Sequence, residues 1–103
     1  MAQRLVHNGS GAIKIGGTSQ QALPQNLERK ILIIQNPSTA AGQGIGATES
    51  LFVNFTNAAG VNNGTSIELV AGASLQIVNP APSDAINVNA ATTGHVFVAF
   101  DCV

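Results

Sequence analysis

The chain has 103 residues, of which 45% are hydrophobic and 9% are charged, and its formal net charge is -1. A chain of this length supports one domain, over residues 1–103, with enough buried surface for a core without disulfides or a structural metal. Ordinary soluble domains carry about 25% charged residues, so this surface must consist largely of small and uncharged polar side chains. The chain has only four Lys and Arg residues, too few for the basic surface with which proteins bind nucleic acids.

Targeting signals and cysteine content indicate the compartment in which the protein is made. The sequence has no run of about 18 apolar residues, and its first residues lack the apolar stretch of a secretory signal. Cys102 is the single cysteine and therefore forms no intrachain disulfide. We expect a protein that is made in a reducing cytoplasm and has no membrane association.

Strand signals recur along the chain, in chain order, whereas helix signals are almost absent. Short apolar or alternating runs between Gly, Pro, Asn and Ser turns predict strands at 5–7, 12–15, 31–34, 51–55, 67–71, 75–78, 86–90 and 96–102. The best helix-like stretch, Gln20–Lys30, is interrupted by Pro24 and allows a single turn. Residues 1–14 are interpreted either as an N-terminal arm or as the first two strands, and Gly16–Arg29 and Pro37–Ser50 as long loops.

About eight short strands, with no helix long enough for a parallel crossover, predict an all-β fold. We expect an antiparallel β-sandwich of the jelly-roll type. An immunoglobulin-like sandwich is disfavoured because the sequence has no Trp and no Tyr. Strand 31–34 is interpreted as buried on both faces. In the last strand, Val96, Val98, Phe100 and Cys102 are the expected inward set, which makes Cys102 a small buried hydrophobe.

One glycine-rich segment has the spacing of a dinucleotide-binding loop. Gly42–Ala47 matches G-x-G-x-x-G/A. Such a loop must follow a strand directly and open a helix, so that the pyrophosphate meets the helix N-terminus. Here Asn36–Ala41 lie between the preceding predicted strand and the glycines, and another strand follows. We interpret the segment as a flexible loop.

The polar residues suited to catalysis or metal binding are few and scattered. His7 and His95, with Asp84 and Asp101, are the material for a catalytic triad, but no nucleophile-elbow motif accompanies them. Both histidines are expected at the surface, at strand ends, and Arg29–Lys30 is expected on a solvated edge. The His, Cys and carboxylate residues also lack metal-ligand spacing. We predict no enzyme activity and no catalytic, cofactor or metal site.

The segments Arg29–Pro37, Leu51–Phe55 and Ile67–Leu75, taken together, resemble a pattern in small β-sandwich proteins of tailed-bacteriophage virions. In that pattern a strand ending in Ile-Gln-Asn precedes a Leu-Tyr-Val-Asn-Phe-like strand, and a Glu-Leu-x-Pro-Gly-x-Ser turn leads into the closing hairpin. Phe52 stands here at the Tyr position and Ala71 at the Pro position. The resemblance covers 29–103, and its motifs describe packing, so they name no active site.

The resemblance implies a non-enzymatic structural protein of the virion, assembled in the host cytoplasm. A capsid decoration or cement protein is favoured, with the major capsid protein and copies of itself as partners, most of all as a homotrimer. One alternative is a carbohydrate- or receptor-binding module of a head or tail fibre, against which the lack of Trp and Tyr counts. A tail or connector structural protein is another alternative.

Apolar residues on the outer faces of the strands are the candidates for such contacts. Two packed sheets hide one face of each strand, and a monomer rarely leaves a large apolar patch on the other. The alternative is that loops such as Pro37–Ser50 cover those faces within one chain. The expected subunit or capsid interface comprises Arg4, Leu5 and Lys14 in the N-terminal segment and, on outer strand faces, Phe52, Val70, Val78 and Phe97.

Overall fold

The structure, a computed structural model, describes residues 6–37, 48–62, 64–78 and 80–103. These residues form nine strands and no helix. The strands are β1 (Val6–Asn8), β2 (Gly11–Ala12), β3 (Gln20–Leu23), β4 (Ile31–Gln35), β5 (Leu51–Asn54), β6 (Ile67–Leu69), β7 (Ser74–Val78), β8 (Ile86–Asn89) and β9 (Val96–Cys102).

The strands form two antiparallel sheets with jelly-roll connectivity. The first sheet has the order β1-β9-β4-β7, with β2 also paired to β9, and the second has the order β3-β8-β5-β6. Because β1 and β2 both pair with β9, they act as one interrupted strand. The pairs β1–β9, β3–β8, β4–β7 and β5–β6 are then those of one long hairpin rolled up on itself, as in a jelly roll. The predicted all-β sandwich is confirmed.

The core lies between the two sheets and is filled by alternate residues of each strand. In β4 the side chains of Leu32 and Ile34 are fully buried, whereas those of Ile31 and Ile33 are partly exposed. The expectation that this strand is buried on both faces was therefore wrong. The core cluster comprises Ile13, Leu23, Leu32, Ile34, Leu51, Val53, Leu69, Ile86, Val88, Ala90, Phe97 and Ala99.

In β9 the face that lies in the core is the opposite of the one expected from the sequence. Its buried residues are Phe97, Ala99 and Asp101, and the expected inward set, which includes Cys102, is partly exposed. The two alternating sets of residues in this strand are both apolar, except that one of them contains Asp101. The sequence therefore predicted that the set with the carboxylate faces solvent. The burial of Asp101 reverses the phase. It also overturns the expectation that Phe97 lies on an outer face, since its side chain is 1% exposed.

The segments expected to be loops differ in their outcome. Gly16–Arg29 contains β3, which pairs with β8 through a register shift between Gln21 and Leu23. Its glutamines hid the strand, because they replace the apolar alternation that marks the others. Residues 6–14 contribute β1 and β2. The expected strand 12–15 was largely wrong, because it overlaps β2 only at Ala12. Gly42–Ala47 lies outside the described residues.

Gly9, between β1 and β2, lets the two sheets approach at one edge of the sandwich. A Cβ atom at this position would lie 2.1 Å from the carbonyl oxygen of Ala22 and 2.8 Å from a methyl carbon of Leu23. Since the first of these contacts is to backbone, no side-chain rotation relieves it. The amide of Gly9 donates to the carbonyl of Ala99 at 2.8 Å, which keeps the first sheet continuous across the break.

Replacing Leu32 with Ala tests this core against a matched exposed leucine. We expect Leu32→Ala to lower the free energy of unfolding by about 2–5 kcal/mol, because the side chain is fully buried and its loss leaves a cavity. Leu27→Ala removes the same atoms from a side chain that is 78% exposed and should cost about 0.5 kcal/mol or less. Urea denaturation measures both variants, and equal losses would contradict the assigned core.

Candidate assembly surface

Across β1, β9, β4 and β7, the outer face of the first sheet has three rows of side chains that cross the strands. Residues directly opposite one another in an antiparallel pair lie on the same face of the sheet. The pairing register aligns Val6, Cys102, Ile31 and Val78 in the first row. Asn8, Phe100, Ile33 and Gln76 form the second row, and Val98, Gln35 and Ser74 form the third. We call these eleven residues the first-sheet outer face.

This face is mainly apolar, since seven of its eleven residues are apolar and none is charged. Of its apolar residues the two flanking valines are the most exposed, with Val6 55% and Val78 53% exposed. The side chains of Ile31, Ile33 and Phe100 on the central strands are partly exposed. An apolar face that runs across all four strands is unusual for a monomer, because antiparallel sheets with one solvated face ordinarily place polar residues there.

The outer face of the second sheet is different, since it is polar and its own chain covers it. Asn87 donates from its side-chain amide to the carbonyl of Asn57 at 2.8 Å, and Asn89 donates to that of Ala59 at 2.9 Å. Phe52 lies opposite Asn89 in the register and is 6% exposed. The expectation that Phe52 lies on an open outer face was therefore wrong, because the β5–β6 loop is hydrogen-bonded over this face.

Asn54 at the end of β5 holds the start of that covering loop. Its side-chain oxygen accepts hydrogen bonds from the amides of Thr56 and Asn57, both at 2.8 Å. Its side-chain nitrogen donates to the carbonyl of Thr65 at 3.0 Å, across the base of the loop. A single asparagine thus ties both ends of the loop together, as Asn commonly does in turns. Asn62 and Gly64 within it have positive φ, a conformation that Asn and Gly adopt readily in turns.

A buried ion pair closes one end of the sandwich. Nε of Arg29 donates to Oδ2 of Asp101 at 2.8 Å, and both side chains are almost fully buried. The remaining guanidinium nitrogens donate to the carbonyls of Pro24, Pro82 and Asp84 at 2.6–3.0 Å. The expectation that Arg29 lies on a solvated edge was wrong, because its five-donor group ties two loops to β9.

Two further contacts of the Asp101 carboxylate complete this cluster at the surface. Its Oδ1 lies 2.6 Å from Nδ1 of His7, and its Oδ2 accepts from the side-chain amide of Asn26 at 3.2 Å. Burial by itself raises the pKa of Asp101, but the hydrogen bonds from Arg29, Asn26 and His7 and the charge of Arg29 outweigh burial and hold the pKa below its ordinary value. The carboxylate is therefore charged at neutral pH.

A second buried network lies where β4, β5 and β9 come together. His95 is 1% exposed, with Nδ1 2.8 Å from Oε2 of Glu49 and Nε2 2.7 Å from Oδ1 of Asn36. The nitrogen of the Asn36 amide donates to the carbonyls of Glu49 and Leu69, which fixes its oxygen toward the ring. Both ring nitrogens thus face acceptors, and both bonds form together when the ring carries two N–H groups. The expected surface position of His95 was wrong.

Of the seven expected interface residues, the structure brings only Val78 onto the first-sheet outer face. Lys14 is exposed, and Val70 is 59% exposed in the turn between β6 and β7. Phe52 and Phe97 are buried, and Arg4 and Leu5 lie outside the described residues. The rest of the face was missed, because the reversed phase of β9 hid Phe100 and its neighbours.

Within the described ranges, no group of three or more His, Cys, Asp and Glu side chains is arranged to hold a metal ion. The same residues contain no helix long and apolar enough to cross a bilayer. Comparisons with protein-family models, with curated proteins and with solved structures found no match.

Removing the guanidinium while keeping an apolar stem tests the ion pair. We expect Arg29→Met to lower the free energy of unfolding by about 3–5 kcal/mol, because it leaves the buried Asp101 carboxylate without its counter-charge. The neighbouring Lys30 is exposed, so Lys30→Met should change stability by about 0.5 kcal/mol or less. Both variants are compared by urea denaturation at pH 7. A small loss in Arg29→Met would show that the pair contributes little.

The stability of the protein should fall in acid. Burial raises the pKa of Glu49, but hydrogen bonds from Thr92 and His95 and the charge of His95 outweigh it and lower the pKa from its ordinary value of 4.5. The pKa of Asp101 is likewise lowered from 3.8. A carboxyl group with a lowered folded-state pKa stabilises the fold above its unfolded-state pKa and loses that contribution as the pH falls through the folded-state value. The loss should therefore begin near pH 4.5 and deepen below pH 3.8.

The variant Glu49→Gln separates the contribution of Glu49 from general acid unfolding. Since glutamine does not ionise, we expect lower stability at pH 7, by about 1–2 kcal/mol, and a shallower decline between pH 5 and pH 3. Glu28→Gln at an exposed position is the control. Urea denaturation across this pH range measures the slopes, and parallel curves for Glu49→Gln and the unmodified chain would contradict the assigned role.

Proposed function

We propose that the chain is a non-enzymatic structural protein of a bacteriophage virion, most of all a decoration or cement protein that stabilises the capsid by bridging its subunits. The observation that supports this most is the first-sheet outer face, an uncharged apolar surface four strands wide on a folded domain. Such a face is typical of a subunit that functions when another protein covers it. The resemblance of residues 29–103 to small β-sandwich proteins of virions is the reason for proposing a virion as the assembly in which this face is covered.

Stabilisation in this proposal comes from apolar burial repeated over many copies. Each buried square ångström of apolar surface contributes about 25 cal/mol, less the cost of ordering the partners. One copy adds little, whereas symmetry-related copies on a closed shell add their contributions together. The low charge of the chain, 9% of its residues, suits dense packing of identical copies because neighbours repel one another weakly.

The proposal predicts that heads of the phage that encodes this chain are less stable without it. We expect heads lacking the chain to release their DNA at a lower temperature, and addition of the purified chain to restore the original value. The restored stability should depend weakly on ionic strength, because an uncharged surface is little affected by screening.

Release temperature is followed by the fluorescence of a DNA-binding dye during heating. The control is addition of the Leu32→Ala variant after heat unfolding, which supplies the same composition without the fold. Failure of the chain to co-sediment with heads would contradict the virion assignment. Binding without any change in release temperature would contradict the cementing role.

A further inference from the structure

We propose that the first-sheet outer face is the contact between copies of this chain, so that its occupant is a second copy. This inference deepens the proposed function and rests on it, since a decoration protein acts as a symmetric assembly. The face is identified from the pairing register and the exposure of its side chains. The candidate residues drawn from the sequence included Val78 alone from this face.

The chemistry of the face favours a self-contact. Two copies that meet through the same surface bring like groups together, so a charged face would repel its own copy. None of the eleven residues of this face is charged. Its polar members, Asn8, Gln35, Ser74 and Gln76, are at the sides and at one end of the face, where amides and hydroxyls remain hydrated at a rim.

The arrangement of the first row gives the contact its width. Val6 lies on β1 and Val78 on β7, so the row runs from one edge of the sheet to the other through Cys102 and Ile31. The outermost positions of this row are also the most exposed, which means that the described part of the chain does not fold over the edges. Among the described residues, the second-sheet outer face offers no comparable apolar surface, because the β5–β6 loop is hydrogen-bonded over it.

The size of the face sets the expected strength. Four strands at a spacing of about 4.8 Å, with five residues along the strands at about 3.3 Å each, give a footprint of roughly 19 Å by 17 Å. Side-chain relief raises the accessible area above this footprint. Two such faces together bury an area at or below the lower limit of specific interfaces, about 1,000 Å². We therefore expect association that depends on concentration in solution and is reinforced when many copies are held on one shell.

A charge placed on the face tests the proposal against a matched charge placed elsewhere. Sedimentation velocity of the purified chain, from about 1 μM to about 1 mM, should show a mass that rises above that of a single chain. Val78→Glu should weaken this association by a factor of about 100, because a carboxylate would be buried in an apolar contact without a partner. Ile15→Glu, at a position that is 64% exposed and off the face, should leave it unchanged.

Cys102 provides an independent reporter, because its side chain lies in the first row of the face and is partly exposed. Its reaction with a small thiol reagent should slow by a factor of about 10 or more at concentrations where the chain associates. In Val78→Glu the rate should be independent of concentration. If Val78→Glu fails to fold by circular dichroism, Val6→Glu at the other edge, also over half exposed, takes its place.

Several outcomes would overturn the inference. A chain that sediments as a monomer throughout, with a constant rate of Cys102 modification, has no copy-to-copy contact at this face. Equal effects of Val78→Glu and Ile15→Glu would place the contact elsewhere. In either case the head-stability experiment still decides the proposed function, because a monomer that restores the release temperature docks on the capsid alone. Loss of head binding in Val78→Glu, with a monomeric unmodified chain, would assign the face to the capsid protein instead.

Discussion

The buried pair of Arg29 and Asp101 sets the orientation of the strand on which the first sheet depends. Strand β9 pairs with β1, β2 and β4, and Asp101 on its inner face is almost fully buried against the guanidinium. A buried ion pair is weak evidence of net stability, since desolvation offsets much of the attraction. Its effect is on specificity. Turning β9 over would leave Arg29 buried without its carboxylate, so the pair selects one phase of the strand.

That phase produces the difference between the two outer faces. With Asp101 inside, Phe97 and Ala99 fill the core, and Val98, Phe100 and Cys102 must point away from it. The apolar content of the first-sheet outer face follows from how β9 is anchored. On the second sheet, alternation in β8 places Asn87 and Asn89 outward, and these amides bind the β5–β6 loop. The described residues thus cover the outer face of the second sheet and leave that of the first sheet mainly apolar and open.

Periodicity and turn residues predicted most of the fold but not the phase of its central strand. Alternation in Ile67–Leu69 and Ile86–Asn89 marked strands at nearly their observed positions, since each has one polar face. Strand β9 is apolar on both faces apart from Asp101, so the strand itself did not show which face is inside. The deciding partner, Arg29, is 72 residues away in sequence, and His95 is similarly held by Glu49 and Asn36, 46 and 59 residues away. Contacts of this kind depend on topology, which a local pattern does not carry.

The buried polar groups and the open apolar face are two results of the same arrangement. Asp101 and Arg29 occupy inward positions at the end of the sheet where apolar side chains would ordinarily lie, and apolar side chains occupy the outward positions where polar ones would lie. This placement of charged residues inside and apolar residues outside adds little to the folding stability of an isolated chain, because it exposes apolar surface and buries charge. The placement becomes favourable when another molecule covers the outward apolar residues. A contact between copies, as we propose, would recover that apolar surface and would leave the charged groups where they orient β9.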